Sequence, residues 1–450
     1  MPMSYISLSD KEKKAMLDAV GIASVGELFR SIPEGVRLDR ALSVPEPLSE
    51  PELTSHFEKL ANHNRYSDFL SFLGGGIYPH FIPALVDYLA SRGEFVSPYT
   101  PYQPEVSQGT LQAIFEFQTL ICQLTGMDIS NASLYDGASG AAEAVLMASR
   151  INRKTKILVA RSLHPHYRQT IATYIRNLGL TAREMKVTPA GTLDLEDLES
   201  GLDEDTTAVI FQSPNYFGVI EDVAAISEIM HRHQALSIAV VTEPVSLGLL
   251  QPPGLQGVDI VTGEAQSFGI PLSFGGPVLG FMACKNEFIR QLPGRIAGQT
   301  RDVDGKRGFV LTLSTREQHI RRERATSNIC TNQALCLLRA TIYLETLGRN
   351  GLRSLAHINM QKAGYARQLL TGLEGVRDVF GGPVFNEFVL GFDRPWEEIA
   401  AELRDAGILG GLALGPDYPE WAGCALMCVT ETHGKDDIDR LAAALKEALS

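Results

Sequence analysis

Several things are scarce in this sequence, and each scarcity narrows what the chain can do. No apolar run approaches the roughly 20 residues a helix needs to cross a bilayer, and the stretch from Met1 to Lys14 is polar and charged, unlike a secretory leader. No membrane partner is expected, and a cytoplasmic location is. Cationic charge is short as well: 40 Lys and Arg stand against 53 Asp and Glu, a formal net charge of -13. Phosphate backbones are held by clustered cations, so nucleic acid is not an expected partner. The six cysteines, Cys122, Cys284, Cys330, Cys336, Cys424 and Cys428, include no Cys-x-x-Cys pair. Scattered through apolar surroundings, they read as buried free thiols rather than disulfides or a zinc site. Lysine is absent between Lys186 and Lys285. The centre of the chain therefore lacks the side-chain amine that covalent chemistry on an aldehyde requires.

What is present is an ordinary soluble composition, 44% hydrophobic and 21% charged over 450 residues, too long for one small core. Residues 1–65 hold two short helical patterns broken by Gly21 and Pro33, then a proline-rich crossing at Pro45, Pro47 and Pro51. They read as an N-terminal helical arm that must lie against something larger. Over 66–325, β-rich runs at 156–160, 208–212, 236–242, 259–263 and 277–283 alternate with helical spacing at 164–178 and 222–234. This predicts a large α/β domain with a mainly parallel sheet, because parallel neighbours need crossover connections. Ligands in such sheets bind beyond the carboxyl ends of the strands. Residues 326–450 read as a smaller C-terminal α/β domain. Helical stretches at 325–347 and 355–373 lead into it, strands follow at 385–392 and 424–430, and helices at 396–405 and 436–449.

Several constellations carry possible chemistry. From Leu134 to Ala144 the small residues Gly137, Ala138 and Ser139 run straight into a helix. Amides at such a start, aided by the helix dipole and a Ser hydroxyl, bind anions, although small residues there also serve close packing. His164, in His164-Pro165-His166, follows a strand where its ring can stack on a planar ligand or pack in the core. The intervening proline and the lack of a carboxylate pattern argue against a metal. His231-Arg232-His233 falls in a helical pattern and reads as a solvated face. Arg316, Arg321, Arg322 and Arg324 alternate with Glu317 and Glu323, as on a salt-bridged helical face.

Gly263-Glu264-Ala265-Gln266-Ser267-Phe268-Gly269 reads like the loop in which a pyridoxal-phosphate enzyme carries its Schiff-base lysine, with Gln266 in the lysine's place. Glu243, just past the run 236–242, could hold the protonated pyridine nitrogen of that cofactor, or cap a helix, or face solvent. Longer blocks sharpen the likeness. Tyr99-Thr100-Pro101-Tyr102-Gln103-Pro104-Glu105-Val106-Ser107-Gln108-Gly109, Asn131-Ala132-Ser133-Leu134 and Pro214-Asn215-Tyr216-Phe217-Gly218-Val219-Ile220-Glu221-Asp222 closely resemble the P-protein of the glycine cleavage system. So do Pro293-Gly294-Arg295-Ile296 and the stretch from Arg316 to Gln333, and the match covers almost the whole chain.

This resemblance implies an aspartate-aminotransferase-like α/β fold, fold type I of the pyridoxal-phosphate-dependent transferases. It also implies an oxidoreductase of glycine catabolism that decarboxylates glycine on pyridoxal phosphate. The aminomethyl group passes to the lipoyl arm of the H-protein, with functional links to the T-protein and dihydrolipoamide dehydrogenase. In some organisms the P-protein is one long chain, and in others two homologous subunits of which the second carries the lysine. Length and Gln266 mark this chain as the first subunit, expected in an α2β2 heterotetramer, with no catalytic residue of its own and no activity alone. Glu243, where the family more often has aspartate, fits the same view. Gly137, Ala138, Ser139, His164, Asn215, Glu243 and Gln266 would then line a degenerate cofactor pocket. Tyr99, Tyr102, Gln103 and Glu105 would reach the partner's active site. Two other possibilities stand beside this one: a purely structural or H-protein-docking subunit, and a self-sufficient enzyme using a lysine such as Lys285.

Overall fold

Short runs of Val, Ile and Ala bounded by polar turns build the central sheet in the computed structural model of the chain, which describes residues 8–38, 40–97 and 100–450. Its strands are β1 Ile129–Ser130, β2 Lys156–Ala160, β3 Thr181–Met185, β4 Thr206–Gln212, β5 Leu236–Val241, β6 Ile260–Glu264 and β7 Gly280–Cys284. They lie in the order β1-β7-β6-β5-β4-β2-β3. From β3 to β6 all neighbours are parallel, while β7 runs antiparallel to β6. β4 and β6 are buried at every residue, as a parallel sheet covered on both faces requires. Their carboxyl ends, with that of β5 between them, bring Gln212, Glu243 and Glu264 to one edge. The run 277–283 becomes a strand only from Gly280, since Pro277 has no N–H to give to a ladder.

Helices α3 Gln108–Thr125, α4 Gly137–Asn152, α5 Pro165–Ile175 and α6 Val223–Arg232 accompany this sheet. An antiparallel hairpin, β8 Ile296–Arg301 with β9 Arg307–Thr312, follows β7. The apolar residues of the hairpin are confined to Ile296-Ala297 and Phe309-Val310-Leu311, with glycine and polar residues on the rest of both strands, and runs this short do not announce it in the sequence pattern. The stretch 316–324 is no salt-bridged helical face, because only Gln318–Arg321 is α-helical. Arg316 instead turns inward and donates to the carbonyls of Leu292, Gly294 and Leu313.

Helix α7 spans Ala334–Leu370 with a break at Gly348, whose φ is 58°. It begins nine residues later than the apolar spacing suggests, since 325–333 spends its polar side chains on loop contacts. Ser327 Oγ accepts the Ile329 N–H at 3.0 Å, and Asn332 Nδ2 donates to the Ala132 carbonyl at 3.0 Å. Beyond α7, β10 Val376–Asp378, β11 Glu387–Phe392, β12 Leu412–Ala413 and β13 Cys424–Cys428 form an antiparallel sheet in the order β10-β11-β13-β12. Helices α8 Trp396–Asp405 and α9 Lys435–Ala448 bury Trp396, Ile399, Leu441 and Leu445 in the same apolar cluster as Phe388 and Leu426 of this sheet.

Residues 66–450 form one compact unit and residues 1–65 another. In the arm, α1 Asp10–Val20 starts at a Ser9/Glu12 capping box and stops at left-handed Gly21. Helix α2 Glu50–Ala61 starts where Glu52 accepts the Ser49 N–H at 2.9 Å. Neither helix buries a residue. The six cysteines are free, four of them buried; Cys330, contrary to the expectation of burial, is exposed.

Candidate functional site

The segment Gly74-Gly75-Gly76-Ile77-Tyr78-Pro79-His80 crosses the carboxyl ends of the parallel strands. Gly75 and Gly76 have φ of 76° and 103°, and a β-carbon on Gly76 would lie 3.1 Å from the His164 ring. The crossing therefore needs glycine both for its left-handed backbone and for its close approach. On this segment the Tyr78 N–H donates to Gln266 Oε1 at 2.9 Å, while Gln266 Nε2 donates to the Tyr78 carbonyl at 3.1 Å and to the Ile270 carbonyl at 2.7 Å. Gln266 is 2% exposed. Its amide pairs with the backbone of Tyr78 much as a neighbouring strand would. Ser267 Oγ, next along, has no partner.

Two residues on, the side chain of His80 is 2% exposed and clamped between carboxylates. Its Nε2 lies 2.9 Å from Glu243 Oε2 and its Nδ1 lies 2.8 Å from Glu431 Oε2. Burial works against charge on the ring, but the charges and hydrogen bonds of Glu243 and Glu431 outweigh it and push His80 up to about 10. The imidazolium can then donate from both nitrogens. Glu243 also accepts from Asn386 Nδ2 at 3.1 Å and the Val245 N–H at 3.1 Å. Glu431 accepts from the Phe81 N–H at 2.7 Å and Asn359 Nδ2 at 3.1 Å. Nearby, Glu387 accepts from the Tyr78 hydroxyl at 2.8 Å and the Gly75 N–H at 2.6 Å. Burial outweighs those donors and raises Glu387 to about 7.

The helix start singled out for anion binding is occupied by the chain's own acids. The Gly137 N–H donates to Glu264 Oε2 at 3.0 Å, and the other Glu264 oxygen takes the Leu279 N–H at 2.7 Å. Burial lifts Glu264 to about 7. Asp136 caps the helix, accepting the Ser139 N–H at 2.7 Å and the Ser139 hydroxyl at 3.1 Å. Ala138 is half-buried against the neighbouring apolar cluster. A β-carbon on Gly137 would lie 2.2 Å from the Tyr167 hydroxyl, so the position is closely packed.

His164 is a core histidine. Its Nδ1 accepts the His166 N–H at 3.1 Å, which leaves Nε2 to donate to the Gly75 carbonyl at 2.8 Å. Its ring sits 4.9 Å from Tyr216 and 5.1 Å from Tyr167, and burial holds it down at about 4. Asn215 organises the turn after β4, accepting the N–H groups of Phe217 and Val219 and donating to the Gly191 carbonyl and Glu221, the latter two at 2.7 Å. Its side chain does not join the Gln266 network. Lys285 is far from it too: the amine pairs with Asp259, which precedes β6, whereas Gln266 follows β6. Antiparallel β7 carries Lys285 to the opposite edge of the sheet, which corrects the expectation that it could supply an amine to the pocket.

The loop proposed to face a partner looks outward. Tyr102 is 58% exposed; its hydroxyl accepts from Arg295 Nη2 at 3.0 Å, and the guanidinium lies 5.1 Å from its ring centre. Gln103 and Glu105 are exposed, and Tyr102 and Gln103 help to line a surface cleft of about 740 Å³. Tyr99 lies outside the described residues. Sequence reasoning missed Tyr78, His80, Glu264, Glu387 and Glu431. The triple glycine ahead of Tyr78 and His80 was the available signal for the first two, but nothing near Glu387 or Glu431 tells a buried acid from a surface one.

Known proteins match this chain over almost its whole length. The family described as Glycine cleavage system P-protein matches residues 3–445. The "Probable glycine dehydrogenase (decarboxylating) subunit 1" of Desulforamulus reducens is 51% identical, covering 98% of this chain and 99% of that protein. Its namesake from Moorella thermoacetica is 50% identical over the whole of both chains. In three dimensions the chain is similar to a crystal structure of glycine decarboxylase (P-protein) of the glycine cleavage system in inhibitor-bound form. The TM-score is 0.91 and the identity 42%, covering 99% of this chain and 100% of that one. A sphingosine-1-phosphate lyase of Burkholderia pseudomallei, at TM-score 0.67 and 16% identity over 93% of this chain and 94% of that one, shares the fold alone. The fold is that of the pyridoxal-phosphate-dependent fold type I enzymes, and the chain belongs to the glycine cleavage system P-protein family.

Proposed function

We propose that this chain is the first subunit of a two-subunit glycine decarboxylase, inactive alone, and that it completes the active site of a homologous lysine-bearing partner. The observation that carries the proposal is Gln266: a side chain with no nucleophilic amine, at the loop where the resemblance expects the cofactor lysine, with its amide consumed by Tyr78 and Ile270. The relatives named subunit 1 support a second subunit. The assembly is an α2β2 heterotetramer in the cytoplasm, working with the lipoyl H-protein and, through it, the T-protein and dihydrolipoamide dehydrogenase. It is an oxidoreductase because the lipoyl disulfide is reduced as it receives the aminomethyl group.

Pyridoxal phosphate, held by the partner, supplies the electron sink into which glycine loses carbon dioxide. The residues of this chain do not fit that group. It needs an amine, free donors for a phosphate and a free carboxylate for the pyridine nitrogen. Here Gln266 offers no amine, the Gly137 and Ser139 amides are taken by Glu264 and Asp136, and Glu243 is engaged by His80.

What this chain has to offer lies on the Tyr102 loop. The Tyr102 hydroxyl accepts from Arg295, so its own proton remains free to donate outward. The exposed Gln103 amide can do the same, with Tyr99 and Glu105 flanking. These donors would bind and orient the phosphate or the substrate carboxylate in the partner's site, and Arg295 holds the Tyr102 ring for that task. The test is Tyr102→Phe with Gln103→Ala in the assembled complex. Glycine turnover should fall about 10-fold or more, the scale of a lost preorganised donor. Unchanged kinetics would leave the chain a structural or H-protein-docking subunit.

A further inference from the structure

We infer that the place this fold reserves for a cofactor is closed in this chain by the chain's own side chains. The His80 ring seats on Glu243 and Glu431, the Glu264 carboxylate takes the helix-start amide of Gly137, and Gln266 ties Tyr78 across the opening. Pyridoxal phosphate is therefore excluded even when an amine is restored at position 266. The inference rests on the proposed equivalence of Gln266 with the cofactor lysine, but its weight falls on His80, Glu243, Glu431 and Glu264, which remain in place when position 266 is changed.

The closing groups match in charge what they replace. A cofactor of this kind presents a cationic ring nitrogen and an anionic phosphate. Glu243 faces instead an imidazole with a second carboxylate, Glu431, on its far side at 2.8 Å. That arrangement favours the doubly protonated, cationic ring. At the helix start, where the dipole and the amides favour an anion, the Gly137 N–H already points at Glu264, 3.0 Å away. A phosphate arriving there would meet a carboxylate instead of free donors.

Rotating one side chain would not reopen the space. The segment from Gly75 to Phe81 is anchored to the large sheet through Gln266 and Glu243, and to the smaller one through Glu387, just inside β11, and Glu431, beyond β13. Asn386 and Asn359 hold the two carboxylates on either side of His80. Expelling the segment would break these contacts together and leave several buried charges unpaired, which the low-dielectric interior penalises heavily.

The experiment uses the full chain with pyridoxal phosphate as the probe, reading borohydride-reducible visible absorbance and the melting temperature. Wild type and Gln266→Lys should both show no reducible band and no melting shift. Gln266→Lys combined with His80→Ala and Glu264→Ala should gain the band and saturate at a concentration at least tenfold lower than any residual signal of the single variant. A band from Gln266→Lys alone would overturn the inference, and so would a folded triple variant that stays colourless. Because the triple variant can fail to fold, histidine-selective NMR of the wild-type chain provides a second reading. The His80 ring should remain doubly protonated at neutral pH and its signals unmoved by pyridoxal phosphate; a neutral or shifted ring would overturn the inference. The two proposals fail separately. Cofactor uptake by Gln266→Lys leaves the subunit assignment intact, whereas glycine turnover by the isolated wild-type chain would end that assignment.

Discussion

The surroundings of Gln266 and the loop at Tyr102 are both polar, and both belong to segments that resemble a catalytic family, yet they use their polar atoms in opposite ways. Around Gln266 the side chains of His80, Glu243, Glu387 and Glu431 are spent on one another and on nearby backbone. Each carries a desolvation cost that only an internal partner offsets. At the loop, Tyr102 accepts one hydrogen bond and keeps its proton for an outside acceptor, while Gln103 and Glu105 stand in solvent. Polar residues that close a network among themselves hold structure. Those that leave a donor free at the surface are where interaction with a partner is to be sought.

The largest expected effect breaks the closed network at its centre. His80→Ala leaves Glu243 and Glu431 buried without their shared cation, and should cost about 3–5 kcal/mol of unfolding free energy by chemical denaturation of the isolated chain. A loss below about 1 kcal/mol, the scale of an exposed ion pair, would mean that the clamp is not a buried ion pair.

An intermediate effect concerns pH. Burial lifts Glu264 and Glu387 from 4.5 to about 7 against the pull of their hydrogen-bond donors, and Glu243 and Glu431 lift His80 from 6.5 to about 10 against burial. All three folded-state values lie above the unfolded ones. The contribution of the two acids is therefore complete below about 4.5 and lost as pH rises through about 7, and that of His80 is complete below about 6.5 and lost by about 10. Besides Glu243 and Glu431, His80 faces Tyr78, whose ring centre lies 6.5 Å away, and Glu243 and Glu431 also act on Tyr343 and Cys428. Unfolding free energy should fall by about 3–5 kcal/mol per group across these windows. Glu264→Gln should remove about half of the loss in the lower window, leaving the Glu387 share, and leave the upper one unchanged. A profile without slope between pH 5 and 10 would contradict the assignment.

The smallest expected effect sharpens the contrast from the other side. Tyr102→Phe with Gln103→Ala should change the stability of the isolated chain by less than about 0.5 kcal/mol, as surface substitutions usually do, while lowering turnover of the assembled complex. A stability loss as large as that of His80→Ala would make the loop structural too.

The scaffold was largely legible in the sequence, while the site was legible only as positions. β2 and α8 match their expected spans, and β4, β5 and β6 fall within two residues, because buried parallel strands must be continuous apolar runs. Hairpin β8–β9 was missed for the converse reason: its exposed residues are polar, and its pairing partner lies across a turn. Gln266, Glu243 and Gly137 could be located from strand ends and a helix start, but what each does depends on residues no local pattern connects to them. His80 meets Glu243 across 163 positions and Glu431 across 351.

From its sequence alone this chain was committed to the P-protein family, to a fold type I α/β architecture, and to lacking an amine where the cofactor lysine is expected. These follow from residue identity and short-range spacing, which need no tertiary contact. Only the tertiary structure decided that the polar side chains around Gln266 are spent on one another and on crossing backbone. Whether a buried carboxylate faces a ligand or the chain's own imidazole depends on which distant segment crosses it, and that is settled by how the two sheets pack around residues 75–81.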